Sequence, residues 1–228
     1  MGTRAVVATA VVLAVVVGGA VVADGVVRDR AEADLAASLV DQVPGLDAVP
    51  DVTIEGFPFL TQVLGGELDH VRIAAPAVTV DGMPLHDVVV DLEGVSTDSP
   101  TTARLATMTA SASLGDLSDQ LAMDADLTVE DDLLVATTSF LGLPVAVRLT
   151  PRPAGRAIEA DVESFALAGV TVSAEDLPSQ LTDRLDGLSV PVDGLPAGMI
   201  LTAVDVTASG VDLEAGGEDV VLDRTLAE

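Results

Sequence analysis

From residue 121 to 130 the chain alternates, with Leu121, Met123, Ala125, Leu127 and Val129 set between Ala122, Asp124, Asp126, Thr128 and Glu130. A period of two is the mark of a strand with one buried and one wet face. The same alternation runs through Val88, Val90 and Leu92, and through Leu143, Val145, Val147 and Leu149. It returns in Ile158, Ala160 and Val162, which are separated by Glu159 and Asp161 and followed by Glu163. The chain is therefore expected to be α+β, a mostly antiparallel sheet with a few short helices. Roughly eight strands with one aliphatic face need cover that so few helices cannot supply, so the sheet is expected to be strongly curved, or to pack its leftover face on something apolar. With 49% hydrophobic but only 2% aromatic residues, and no Trp or Tyr, the core must be built from Val, Leu and Ala.

The N-terminus obeys another rule. Ala5 to Ala23 contain only Ala, Val, Leu, Gly and Thr, and Asp24 ends the run. At about 1.5 Å per helical residue such a stretch nearly crosses a hydrocarbon layer of about 30 Å. It reads as a transmembrane anchor or as a signal peptide, with small residues suited to cleavage after Ala20 or Ala23. Either reading exports the chain. In the next segment Val27, Ala31, Leu35 and Leu39 recur every four residues, which predicts an amphipathic helix over residues 24–42, followed by a linker to Pro50. The expected organisation is a signal peptide or anchor at 1–23, helix and linker at 24–50, and a β-rich domain at 51–228.

Shorter helices are expected within that domain. Pro58 to Leu64 offers a proline for the first turn, the apolar residues Phe59, Leu60, Val63 and Leu64, and Gly65-Gly66 as a stop. The pattern S-x-x-D-L-x-x-Q-L occurs at Ser113–Leu121 and again at Ser173–Leu181, each copy offering a serine cap and an acid three residues on.

Composition excludes several functions. Ten basic residues, all arginine, stand against 37 acidic ones for a net charge of −27, a surface that repels nucleic acid. The absence of cysteine removes disulfides, thiolate metal sites and a thiol nucleophile. Asp69-His70 and His86-Asp87 set a carboxylate beside an imidazole, but neighbours on a strand face opposite ways. His70 is expected on the wet face with Arg72, and His86 on the more buried face of Val88, Val90 and Leu92. No nucleophile elbow, Walker loop or dinucleotide fingerprint is present, so no enzyme, cofactor or metal is expected. An unrecognised lipid hydrolase is the weakest of the functional readings. The acidic run Glu130-Asp131-Asp132 reads as a turn. Arg148, Arg152 and Arg156 flank another turn and form a basic cluster. Guanidinium groups bind phosphate well, so the cluster is a candidate for a lipid headgroup or an anionic membrane surface, with pairing to nearby carboxylates as the plainer alternative.

Glu55-Gly56-Phe57-Pro58-Phe59-Leu60-Thr61-Gln62-Val63-Leu64-Gly65-Gly66-Glu67-Leu68 resembles the G-x-P-F-L-T-Q-x-L-x-G segment of actinobacterial cell-envelope proteins related to LmeA. Leu195-Pro196-Ala197-Gly198-Met199-Ile200-Leu201 is similar to that family's closing L-P-x-G-L-x-L motif. The resemblance spans most of the chain after Ala48. It implies a non-catalytic phospholipid-binding protein of the envelope, a tubular lipid-binding β fold, and a link to maturation of mannosylated phosphatidylinositol. Phospholipid and membrane are the implied partners, and the localisation is membrane-anchored or secreted. The candidate lipid contacts are Phe57, Phe59, Leu60, Val63 and Leu64, which could gate an apolar groove, together with Arg148, Arg152 and Arg156. A structural or interaction module of the envelope is the alternative, with its protein partners unidentified.

Overall fold

The computed structural model describes residues 3–46, 48–80, 82–120, 126–140, 143–167, 170–173, 189–192 and 194–222, with only the backbone described for 3–20, 120, 139, 140, 167, 189 and 190. The N-terminal run and the helix expected after it form one uninterrupted helix, α1 (Thr3–Gln42). There follow β1 (Asp51–Glu55), α2 (Phe59–Gly65), β2 (Glu67–Val80), β3 (Met83–Ser96), β4 (Thr102–Ser113) and α3 (Leu114–Gln120). The second half contributes β5 (Asp126–Glu130), β6 (Leu133–Phe140), β7 (Leu143–Ala154), β8 (Ala157–Leu167), β9 (Val170–Ser173), β10 (Ser189–Pro191), β11 (Ile200–Thr207) and β12 (Gly210–Val221).

All pairings between these strands are antiparallel, in two sheets of six strands. The first sheet runs β1-β2-β3-β4-β12-β11; the second runs β10-β8-β7-β6-β5, with β9 also on β8. Neither sheet closes into a barrel, so the tubular expectation is met only as far as open antiparallel sheets. Turn chemistry fixes the registers. The β5–β6 hairpin turns on Asp131 and Asp132, both left-handed at φ 52° and 61°. Two positive φ angles in a two-residue turn match the right-handed twist of the strands, and Asp is among the residues that tolerate them. The acidic run is thus a turn, as its sequence indicates.

The first sheet finds its cover in α1. Ala36 is buried, and Ala31, Leu35 and Leu39 pack beside it against inward residues from all six strands, among them Ile54, Val71, Leu92, Ala106, Leu201 and Ala215. This is the stripe expected from the four-residue spacing, except that Val27 stays exposed. Glu32 Oε1 accepts a 2.8 Å hydrogen bond from the Ile54 amide, so α1 also engages the outer edge of β1. Beyond the helix Gly45 takes φ +82°, and its carbonyl accepts from the Thr79 amide at 2.8 Å. A β-carbon at Gly45 would lie 2.1 Å from the Thr79 carbonyl oxygen, which explains the glycine.

One strand departs from its expected parity. The β3–β4 register shifts between His86 and Val89, where Asp87 has φ 50°. Leu85 and Val88 both remain buried, so the extra residue turns His86 onto the face of its partner Ser111. His86 does not share the buried face of Val88, as simple alternation predicts.

Candidate functional site

The second sheet carries an extended apolar face. Residues directly opposite one another in an antiparallel ladder point to the same face. Following the register across five strands gives one row of Leu127, Ala136, Val147, Phe165 and Val172. The next row is Val129, Leu134, Leu149 and Val162. Neither row contains a polar side chain. At about 4.8 Å between strands the first row spans about 19 Å, somewhat more than the roughly 15 Å depth of one leaflet of hydrocarbon.

The face is incompletely covered. Among the described residues Leu134 and Ile158 of this sheet pack against the core clusters of the first sheet and α1, Ala136 is itself buried, and β7 runs beside β11. Val147, Leu149, Val162 and Phe165 are half-buried, while Val172 is 37% and Val170 66% exposed. A smooth aliphatic surface of this kind suits acyl chains, which ask for apolar area and no hydrogen bonds. Elsewhere, a cleft of about 380 Å³ on the first sheet is lined by Asp87, Asp205, Asp212 and Glu214 among others, and its carboxylates oppose such a ligand.

The reverse face of the second sheet is largely polar and holds the arginines. Its rows include Thr128, Val135, Arg148, Ser164 and Ser173, with buried Val135 the apolar exception, and the pair Arg152 and Glu159. Arg148 bonds Glu130 at 3.0 Å. Arg152 reaches both Glu159 and Asp161, and these two carboxylates, Asp161 first, raise its pKa above the ordinary arginine value. Arg156 sits in the β7–β8 turn and donates to the carbonyls of Leu195, Pro196 and Met199 at 2.6, 2.9 and 3.2 Å. It therefore fastens the L-P-x-G-M-x-L segment. Exposed ion pairs contribute little, whereas three bonds from one fork order a loop. Arg152→Ala is expected to leave both stability and association with anionic vesicles unchanged. Arg156→Ala should lower stability by about 1–2 kcal/mol in urea titration, because it frees three carbonyls together.

The apolar helix resolves into two kinds of residue. Phe59 is 3% exposed and belongs to the core around α1, whereas Phe57 (64%) and Leu64 (88%) face outward with Leu60 and Val63. Among the described residues the hydrogen bonds and ion pairs of Arg148, Arg152 and Arg156 run to Glu130, Glu159, Asp161 and the Leu195–Met199 segment, and none to this helix. The sequence gives no cap for α2: Pro58 occupies the cap position and offers no side-chain bond. Asp24, 35 residues earlier, supplies it. Its Oδ2 accepts from the Phe59 amide at 2.9 Å and its Oδ1 from the Leu60 amide at 2.8 Å, at 4% exposure. The signals that could have revealed this are a carboxylate ending an apolar run and a helix lacking its own cap.

The imidazoles serve the scaffold. His70 lies between Glu55 at 3.1 Å and Asp91 at 3.2 Å, and Arg72 bonds the same Asp91 at 2.9 Å, a network across β1, β2 and β3. His86 Nε2 lies 3.0 Å from Asp116 Oδ2, to which the Ser113 hydroxyl also donates at 2.5 Å. The carboxylate sits between serine and imidazole, so His86 is not placed to take the hydroxyl proton. The Asp116 amide donates in turn to Ser113 Oγ at 3.2 Å, which makes the cap expected from the first S-x-x-D-L copy. The second copy lies outside the described residues from Ala174 onward. Among the described residues no three His, Asp or Glu side chains are grouped to hold a metal.

The Ser113 hydroxyl, and after it His86, lower the Asp116 pKa against an opposing effect of burial. A carboxyl depressed in the folded state stabilises above its unfolded pKa, and that contribution is lost as pH falls through the folded value. Asp116→Asn is therefore expected to flatten the fall of stability between about pH 5 and pH 2. Ser113→Ala should cost about 1 kcal/mol at neutral pH. Urea midpoints across that pH range check both.

Among the residues with described side chains, which begin at Val21, no helix is long and apolar enough to cross a membrane. No curated protein and no solved structure matches the chain. A family model described as LmeA-like phospholipid-binding matches residues 22–216, from the last two residues of the apolar run to β12. With most of its length matched, the chain belongs to the LmeA-like phospholipid-binding family.

Proposed function

We propose that the chain is a non-catalytic phospholipid binder and that acyl chains lie on the apolar face of the second sheet. The observation carrying this reading is the pair of unbroken rows, Leu127 to Val172 and Val129 to Val162, which leave an aliphatic surface half-covered in a member of a phospholipid-binding family. Burying such a surface under hydrocarbon is favourable at about 25 cal/mol per Å². A ligand held this way is recognised by its tails. The residues 5–23 act as anchor or export signal, so binding occurs on the outer side of the cytoplasmic membrane. There the chain supports maturation of mannosylated phosphatidylinositol by holding or presenting phospholipid, and chemistry on that lipid belongs to other proteins.

Titration with a pyrene-labelled phosphatidylcholine tests the reading. Saturable binding is expected, reversed by unlabelled phospholipid and unaffected by glycerophosphocholine, which lacks tails. Competition by glycerophosphocholine would shift recognition to the headgroup and contradict the assignment to this face.

A further inference from the structure

Exposed apolar side chains are not spread evenly over this protein. Among the described residues 14 large hydrophobic side chains are exposed, and eight of them fall in residues 21–27 and 57–64. Val21, Val22, Val26 and Val27 supply four on α1. Phe57, Leu60, Val63 and Leu64 supply four around α2. The two Asp24 hydrogen bonds tie the N-terminus of α2 to α1 between those valines, so both groups lie at one level of the long helix. In a chain of net charge −27, residues 56–66 carry no charge at all. Contiguous exposed apolar surface of this sort marks an interaction site.

The course of α1 identifies the occupant. The apolar run ends at Ala23, one residue before Asp24, and the helix continues through that point without a break. Nineteen helical residues rise about 28 Å, close to the roughly 30 Å of a hydrocarbon core. An anchor of that length brings Asp24, and with it α2, to the boundary where hydrocarbon meets headgroups. The Asp24 carboxylate is then spent on the two α2 amides and is shielded from the lipid.

We propose that α2 is a membrane wedge: Phe57, Leu60, Val63 and Leu64 insert into the outer leaflet beside the anchor, and Asp24 sets their depth and angle. The proposal rests on the reading of residues 5–23 as a membrane anchor. It assigns α2 a role separate from the acyl-binding face of the second sheet. Because residues 56–66 are uncharged, insertion requires no anionic lipid and is insensitive to salt.

The lack of cysteine allows clean single-site labelling. The full chain carrying Leu64→Cys is spin-labelled and reconstituted into phosphatidylcholine vesicles, with Thr171→Cys, exposed on β9, as the aqueous control. Collision rates are measured with oxygen, which concentrates in hydrocarbon, and with a nickel chelate, which stays in water. At Leu64 oxygen is expected to dominate by several-fold, at Thr171 the chelate, with both results unchanged in 1 M salt. The Val147→Glu background, which disables the acyl-binding face, is expected to leave the depth at Leu64 unchanged, so the two assignments fail separately. A chelate-accessible Leu64 would overturn the wedge, as would failure of the chain to stay with the vesicles. Protection from both reagents would also overturn it, because a protein surface would then cover α2.

Discussion

Replacing Val147 with glutamate is expected to weaken phospholipid binding by more than about tenfold, with the fold retained. Val147 stands at the centre of the row that runs from Leu127 to Val172, with Ala136 and Phe165 directly opposite it. Introducing a carboxylate there forces any bound acyl chain to cover a charge or to abandon the middle of the row. Desolvating such a group costs several kcal/mol, and each 1.4 kcal/mol is about a factor of ten in affinity. Because Val147 is only half-buried without ligand, the unliganded protein keeps its new carboxylate in contact with water. The milder Phe165→Ala removes area without adding charge and should weaken binding less. Titration with labelled phosphatidylcholine, with circular dichroism as the folding check, separates these outcomes. Equal affinity in Val147→Glu and the parent would remove this face from the site.

Asp24→Ala should produce the largest loss of stability among the substitutions considered, about 2–3 kcal/mol in urea titration. Helix α2 begins at Phe59 without a cap of its own, and both Asp24 oxygens accept amide protons there. Alanine leaves those donors in a pocket where Asp24 was 4% exposed and Phe59 3%. An unsatisfied buried donor carries much of its desolvation cost. Asp24→Asn keeps one acceptor and loses the charge, so it should fall between the parent and alanine. An unchanged midpoint for Asp24→Ala would show that the cap is replaced by solvent and that α2 is not held by α1.

Much of this architecture was legible in the sequence, and the misses have identifiable causes. Alternation located β3, β7 and β8 because a period of two survives any register. It could not align Val147 with Ala136 and Phe165, since register depends on turns and partners outside each strand. The bulge at Asp87 reversed the facing of His86, and a single extra residue leaves no mark in the alternating pattern. The helical stripe Ala31, Leu35 and Leu39 was visible, whereas its place against the first sheet was not. The apolar helix after Pro58 was found, but only packing divides its inward Phe59 from its outward Phe57 and Leu64. The arginine cluster was equally visible. Its carboxylate and carbonyl partners emerge only when β5, β6, β7 and β8 pair in turn and the Leu195–Met199 segment closes on the turn. Asp24 was hidden for the same reason, its partners lying 35 and 36 residues away.

Native mass spectrometry of the full chain, combined with lipid extraction of the same sample, tests phospholipid binding most directly. The chain is expected to carry phospholipid through purification, and Val147→Glu to carry much less. If the parent yields no phospholipid and none binds when offered from vesicles, the lipid-binding assignment is contradicted and a structural or interaction role takes its place.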